Sequence, residues 1–343
     1  MKHIFLLLAI SAVFFSCSHK AEHVERAFYY WKNNSWYLDH PDTDILKSAQ
    51  VKKVYLKFFE VEHSKILGNI PTAKSGLRIN DSDSLTVVPT VYIRNEVFKK
   101  STHQSLDSLA DNVNFLISKY KKDERLNGAS FEDEYQIDCD WTLSTKDNYF
   151  YFLKKLKQLS GVSISCTLRL YPYKYPDKMG IPPVDKAMLM CYNLINPLDE
   201  KSKNSILDIK ELTAYLDKSK KYPLHLDVAL PVFSWVQVYH NKHFSDILYT
   251  NTTNLKRILK AEKPMWYQVQ KDTVINDLYL RMGDKIKIEE INATDINEAI
   301  DILKKHVNLD KTITVSLFHL DQEQLSHYKN EEITGFYNRF TEQ

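Results

Sequence analysis

Glycine is scarce in this chain, at 7 of 343 residues. Neither G-x-G-x-x-G nor a Walker loop occurs, so the close backbone approaches that cradle dinucleotides and phosphates are not encoded. Cysteine is rarer still, with Cys17, Cys139, Cys166 and Cys191 the complete set. Cys17 belongs to the N-terminal segment. The other three are an odd number, which argues against a disulfide framework. Each of them lies in an apolar, strand-like run, the setting of a small buried residue. His and Cys nowhere come at metal-cluster spacing and H-E-x-x-H is absent, so no metal and no other cofactor is expected. No G-x-S-x-G marks a nucleophile elbow. The formal charge is only +2, which gives no electrostatic case for nucleic acid or an anionic lipid surface.

What is present begins with Met1-Lys2-His3, an unbroken apolar run from Ile4 to Phe15, and Ser16-Cys17. A basic head, a short apolar run and a small residue before the cut make a secretory signal. The run is too short to span a bilayer, which takes about 20 apolar residues. Phe14-Phe15-Ser16-Cys17 resembles a bacterial lipobox, which implies that Cys17 is lipidated and becomes the first mature residue. Acyl chains would then anchor the protein while the rest stays soluble. An ordinary cleaved signal with a chance cysteine is the alternative. The expected layout is a signal over 1–16, a polar tether over 17–25 and a single domain over 26–343. Removing 16 of 343 residues leaves 327, and losing one Lys takes the charge from +2 to +1. The expected location is the cell envelope, anchored in the outer membrane and facing the periplasm or the exterior. The protein is expected to be a monomer.

After the tether, short apolar runs alternate with helical patterns. Eight runs read as strands: Ala27–Trp31, Lys53–Val61, Thr86–Arg94, Tyr135–Thr142, Ser163–Tyr171, Ala187–Leu194, Leu224–Phe233 and Thr312–Leu320. Several are apolar on both faces, as in parallel strands covered by helices. Tyr149, Phe152, Leu153 and Leu156 repeat at helical spacing behind a capping box at Ser144 and Asp147. Ile296, Ala299, Ile300, Leu303 and Val307 do the same behind Asp295 and Glu298. Leu106 to Ile117 and Ile206 to Leu216 mark two more helices. Residues 244–262 make a poorer helix, and 62–85 read as a loop. Trp266–Gln270 and Lys285–Glu289 read as a small hairpin around a turn at Met282-Gly283-Asp284. The alternation predicts an α/β chain folded as a (β/α)8 TIM barrel, with that hairpin inserted between strands seven and eight. A doubly wound sheet is the structural alternative.

In such a barrel the functional groups gather at the C-terminal ends of the strands. Tyr135-Gln136-Ile137-Asp138-Cys139-Asp140-Trp141-Thr142 is the strongest place. Asp138 and Asp140, two apart on a strand, would share one face. Two carboxylates on a buried face repel, so one would hold a proton near neutral pH. Ion pairing to Arg169 or Lys57 is the structural alternative. Glu60, with Glu62 at the end of strand two, is a further candidate acid or else a solvated loop charge. His319 and Asp321 end strand eight. Asp227, early in strand seven, falls on the barrel floor and reads as structural. Aromatics follow the strands: Tyr29, Tyr30 and Trp31, then Trp141, then Tyr171, Tyr173 and Tyr175, then Trp235. Flat aromatic faces suit apolar sugar faces. The Tyr171–Pro176 run, with alternating Tyr and Pro, reads as a stiff extended loop.

Ile137-Asp138-Cys139-Asp140-Trp141 resembles the fourth-strand motif of chitinase-like glycosidases, glycoside hydrolase family 18, which is Asp-Gly-x-Asp-x-Asp-x-Glu. Met190-Cys191-Tyr192-Asn193 resembles that family's sixth-strand Met-x-Tyr-Asp/Asn. The resemblance implies a polar centre at Asp138 and Asp140, with Tyr192 and Asn193 positioning the substrate. It departs at three places. The family's first Asp falls on Tyr135, its Gly on Gln136 and its proton-donating Glu on Thr142, which has no proton to give. The expectation is an envelope lipoprotein that acts on or binds a glycan or another polar small substrate. Asp138, Asp140 and Glu60 are the candidate catalytic groups. Trp31, Trp141, Arg169, Tyr171, Tyr192, Asn193, Trp235 and His319 are the candidate binding groups. The alternative is a glycan-binding or partner-binding lipoprotein without catalysis.

Overall fold

The computed structural model of the chain describes residues 21–33, 38, 40–80, 84–198, 202–216, 221–250 and 252–342. The signal, Cys17 and the start of the tether lie outside the described residues. Eight parallel strands close a barrel: β1 (His23–Tyr30), β2 (Lys53–Ser64), β3 (Thr86–Ile93), β4 (Glu134–Asp138), β5 (Ser163–Arg169), β6 (Lys186–Met190), β7 (His225–Pro231) and β8 (Thr312–Phe318). Each pairs with its neighbour in sequence, and β8 closes onto β1, where Phe28 lies opposite Leu317. All eight strands fall where the apolar runs predict them. The first starts earlier, so residues 23–25, expected in the tether, are strand.

Helix 103–121 turns Leu106, Leu109, Ala110, Val113 and Ile117 onto the barrel. Helix 146–160 buries Tyr149, Phe152, Leu153 and Leu156, and helix 293–306 buries Ile296, Ala299, Ile300 and Leu303. Two helix starts differ from expectation. Thr145 sits at the first cap without a capping bond from its side chain, and no box forms from Ser144. Gly161 closes that helix in the left-handed region at φ 69°, where glycine has no Cβ to clash. In helix 293–306 the box is one turn early: Asn292 accepts from the Asp295 amide at 3.0 Å, and Asp295 accepts from the Asn292 amide at 3.2 Å. Asp295 therefore plays the second part of the box, not the first.

The second unit carries no α-helix among the described residues. β2 runs on to Ser64, turns, and pairs antiparallel with Gly68–Thr72, so part of the expected loop over 62–85 is a hairpin. The Tyr171–Pro176 run is not extended: Leu170–Lys174 and Pro176–Met179 are short helical turns. Pro176 opens the second turn, where its fixed φ suits a helix and its missing N–H costs nothing.

The insertion is larger than a hairpin. Trp266–Val269 and Lys285–Glu289 do pair antiparallel, with Trp266 opposite Lys287. They belong to a five-stranded antiparallel sheet with Trp235–His240, His243–Leu248 and Leu259–Lys263. Thr273–Ile275 and Leu278–Leu280 form a separate hairpin. The poor helix expected over 244–262 is two strands around one helical turn, Thr252–Lys256. Val236 and Val238, with Ile286 and Ile288, alternate at period two and fill a second small core with Leu248, Val269 and Leu280.

The barrel floor is ionic. Lys186 Nζ lies between Glu134 at 2.9 Å and Asp227 at 3.1 Å. His225 lies between Asp227 at 3.1 Å and Asp310 at 2.9 Å. The Thr314 amide donates to Asp227 at 2.6 Å. Burial works against the Asp227 charge, but His225, Lys186 and that amide together hold its carboxyl below the usual range. The hydrogen bond to Asp227 in turn raises the His225 pKa, against burial. This is the floor position expected for Asp227.

Candidate functional site

On β4 the side chains alternate. Glu134, Gln136 and Asp138 point into the barrel, each meeting a different layer: Ser165 donates to Glu134 at 2.5 Å, Gln136 donates to the Tyr29 hydroxyl, and Thr167 donates to Asp138 at 2.5 Å. Tyr135 faces outward, near the Lys121 ammonium of helix 103–121 at 5.9 Å. Asp138 thus crowns an inward column at the C-terminal mouth, only 7% exposed. Burial raises its pKa to about 7, and repulsion from Asp140 adds to that, while Thr167 and Arg169 oppose it. A carboxyl buried beside a second carboxylate keeps its proton in this way.

Of the two cations expected to pair with the aspartates, Arg169 does so, with Asp140, and Lys57 does not. β4 ends at Asp138, so Asp140 stands on the following loop, with its side chain 53% exposed. It shares the mouth with Asp138 but not a strand face. Arg169 contacts Asp140 at 3.4 Å and donates to the Asn193 carbonyl at 3.0 Å. Lys57 pairs with Glu60 at 2.5 Å rather than with Asp138, and Arg94 approaches Glu60 at 3.6 Å. Glu60 is therefore neither a free acid nor a solvated charge: it is a mostly buried ion-pair acceptor. Thr142, where the family's acid would stand, joins a hydroxyl cluster, 3.1 Å from both Ser144 and Thr145. The Thr145 hydroxyl also accepts from the Thr142 amide at 2.9 Å, so this turn leads into helix 146–160.

Two cavities open at the mouth. One, of about 480 Å³, is lined by Trp31, Asn193, Phe233, Trp235, Tyr249, Phe318, His319, Asp321, Glu323 and Gln324. Trp31 packs 5.6 Å from Phe318 and 6.4 Å from Tyr92, with the Lys57 ammonium 5.1 Å from its ring. Burial pushes the His319 pKa down to about 4, which leaves the ring neutral. Its Nδ1 and the Asn193 Oδ1 are buried without a partner. Buried polar groups are ordinarily paired, so the two unpaired atoms are exceptions, and both belong to residues that line this cavity of mixed aromatic and polar walls. Asn193 takes a positive φ of 53°, a conformation that Asn tolerates better than most residues.

The second cavity, of about 380 Å³, is lined by Asp140, Trp141, Thr142, Leu143, Arg169, Tyr171, Pro172, Lys178 and Met179. Trp141 is mostly core, stacked on Tyr149 at 6.2 Å and edge-on to Phe150 at 5.2 Å. Tyr171 is half exposed, beside Tyr175 at 4.9 Å and taking a hydrogen bond from Lys178 at 3.0 Å. Arg169 lines this cavity and, through its bond to the Asn193 carbonyl, touches the wall of the other. Asp138 and Tyr192 are buried beneath the mouth and line neither. Tyr192 stacks on Phe318 at 5.1 Å, and burial holds its hydroxyl well above the usual range.

Phe233, Tyr249 and Phe318 were not singled out in the sequence, nor was Tyr92. Tyr92 ends β3, and burial with the Asp140 and Asp138 charges raises its pKa. Its place at a strand end was the available signal. Thr167 also went unnoticed, although its position two residues before Arg169 puts both on the same face of β5.

No protein-family model matches the sequence, and no curated protein matches it. Solved structures match its fold. The spore cortex-lytic enzyme SleL of Bacillus cereus aligns at TM-score 0.54 and 12% identity, over 94% of this chain and 75% of that one. A chitinase from Chromobacterium violaceum aligns at TM-score 0.54 and 11% identity, over 93% of this chain and 99% of that one. Identity this low speaks for architecture alone. In fold, this chain is similar to chitinase barrels.

Proposed function

We propose that the mouth of this barrel binds a glycan and does not cleave it by the route of the chitinase-like family. The observation that carries the reading is the cavity walled by Trp31, Phe233, Trp235, Tyr249 and Phe318 and lined also by Asn193 and His319, each of which keeps one buried polar atom without a partner. Aromatic walls take the apolar faces of sugars, and the two polar atoms take hydroxyl or amide groups. The fold neighbours named a chitinase and a cortex-lytic enzyme point the same way. Thr142 supplies no proton, and Glu60 is held by two cations. One observation favours turnover as a second reading: Asp138, with its pKa near 7, is about half protonated at neutral pH, as a general acid must be in part. The signal-like N-terminus and the lipobox resemblance of Phe14-Phe15-Ser16-Cys17 support a site in the cell envelope, tethered through Cys17.

The test is a screen of β-linked oligosaccharides, chitohexaose among them, by calorimetry and by product analysis, beside Trp31→Ala. Binding without released sugar, weakened roughly tenfold in the variant, is the expected result; the factor corresponds to about 1.4 kcal/mol for one lost aromatic contact. Product that disappears in Asp138→Asn would transfer the assignment to the second reading. Absence of binding to every glycan would sink both.

A further inference from the structure

The cavity wall draws on the ends of several barrel strands and on the inserted sheet. Trp235 comes from the inserted sheet, and Asn193 from the loop after β6. One side chain joins them. Glu289, directly opposite Trp235 in the sheet register, is wholly buried. Its Oε2 accepts from the Trp235 indole Nε1, from Gln237 Nε2 at 2.9 Å and from the Ser205 hydroxyl at 2.6 Å. Its Oε1 accepts from the Ser205 amide at 2.9 Å and pairs with Lys287 at 2.7 Å. Ser205 then reaches the other wall: its carbonyl accepts from the amides of Leu194 at 3.0 Å and Ile195 at 3.3 Å, immediately after Asn193. Arg169 holds the carbonyl of Asn193 itself.

A buried carboxylate costs several kcal/mol to desolvate, and an apolar residue would join two pieces of chain as well. What the carboxylate adds is direction. Hydrogen bonds to a charged acceptor are short and oriented, so they fix an indole edge and a loop backbone where packing alone would leave both free to shift. The sheet also contributes Tyr249 to the same wall.

We infer that Glu289 is the positioning residue of this cavity: it sets the Trp235 indole and, through Ser205, the Asn193 loop in the geometry that receives the ligand. The inference rests on the glycan-binding reading for its purpose, but not for its geometry.

The experiment uses the purified, uniformly ¹⁵N-labelled protein. The indole resonance of Trp235 is identified by its loss in Trp235→Phe, which keeps a ring and removes the donor. In the wild type this resonance should lie downfield and exchange slowly with solvent, as a buried N–H bonded to a carboxylate does. Glu289→Gln should move it upfield and speed its exchange at least tenfold. Ser205→Ala, which keeps the carbonyl but removes the hydroxyl from Glu289 Oε2, should move that resonance less than Glu289→Gln does and shift the amides of Leu194 and Ile195 as the loop loosens. Chitohexaose affinity should fall roughly tenfold in Glu289→Gln and in Ser205→Ala, the loss of about one well-made polar contact. An unmoved Trp235 resonance in Glu289→Gln overturns the inference. So does unchanged affinity in both variants of a wild type that binds. Should Glu289→Gln fail to fold, Ser205→Ala and Trp235→Phe decide: full affinity in both overturns the inference, and weakened affinity in both supports it. A wild type that binds no glycan defeats the functional reading alone, and the indole resonance still decides the positioning.

Discussion

Replacing Asp138 with Asn tests the electrostatics of the mouth directly. The carboxyl is buried beneath Thr167 and beside Asp140, and its pKa rises from 3.8 to about 7. At 1.36 kcal/mol per pKa unit, that rise corresponds to a cost of about 4 kcal/mol once the group is forced to ionise in the folded state. The sign follows from linkage. Below pH 3.8 both states are protonated and nothing is lost. Between pH 3.8 and about 7 the unfolded chain releases the proton and the folded chain keeps it, so wild-type stability falls as pH rises. Above pH 7 the full cost is present. Asn carries no charge and can accept the same Thr167 hydrogen bond, so Asp138→Asn escapes this cost. Urea denaturation of both proteins from pH 5 to pH 8.5 should show the variant gaining on the wild type as pH rises, and holding a plateau above pH 7. The gain across this range approaches about 3 kcal/mol, because roughly one unit of the rise lies below pH 5. His225 titrates in the same window but is common to both proteins and cancels in the difference. A difference that stays flat across the range, or one that grows toward acid pH, would refute the buried, proton-holding Asp138.

His225, bridging Asp227 and Asp310 with Lys186 and Lys221 nearby, has a raised pKa. Its ion pairs stabilise fully below the unfolded value of about 6.5 and fade as pH climbs through the folded value. The stability gap between wild type and His225→Gln should therefore narrow from pH 5.5 to pH 8.5 in denaturant melts, and a gap that widens would contradict the assignment. Thr142→Ala removes hydroxyl contacts of an exposed turn, so it should cost at most about 1 kcal/mol in thermal melts. It should leave glycan affinity within a factor of about two, and a large loss of binding would give Thr142 a role at the ligand that its cluster does not indicate. Cys17→Ser should move the protein from the detergent phase to the aqueous phase in a Triton X-114 partition, since one lipidated cysteine is the only anchor the sequence offers. Retention in the detergent phase would end the lipobox reading.

Much of this protein was legible in its sequence because periodicity is a local property. A strand buried on both faces must be apolar throughout, and the eight apolar runs became the eight strands of the barrel. Tyr149, Phe152, Leu153 and Leu156 repeat every three to four residues and became one buried helix face. The inward direction of Asp138 followed from its place on a strand that ends at the mouth. Partnership was not legible, because it depends on distances across strands that no local pattern records. Lys57 and Arg169 were both credible partners for the Asp138 and Asp140 pair; the barrel gave Arg169 to Asp140, Lys57 to Glu60, and to Asp138 the neutral Thr167. The inserted sheet was hidden for a related reason. Its strands are short, several edge residues are polar, and Phe244 to Leu259 contains enough spaced apolar residues to imitate a weak helix. Only closure of the sheet shows that Val236, Ile286 and their neighbours share one core, and only then does Glu289 stand opposite Trp235. The sequence determined the strands and the helix faces, each through residues near one another in the chain. The tertiary structure decided which charges pair and which aromatics share a wall, because those contacts join residues far apart in the chain, such as Trp31 and Phe318, 287 positions apart on one cavity.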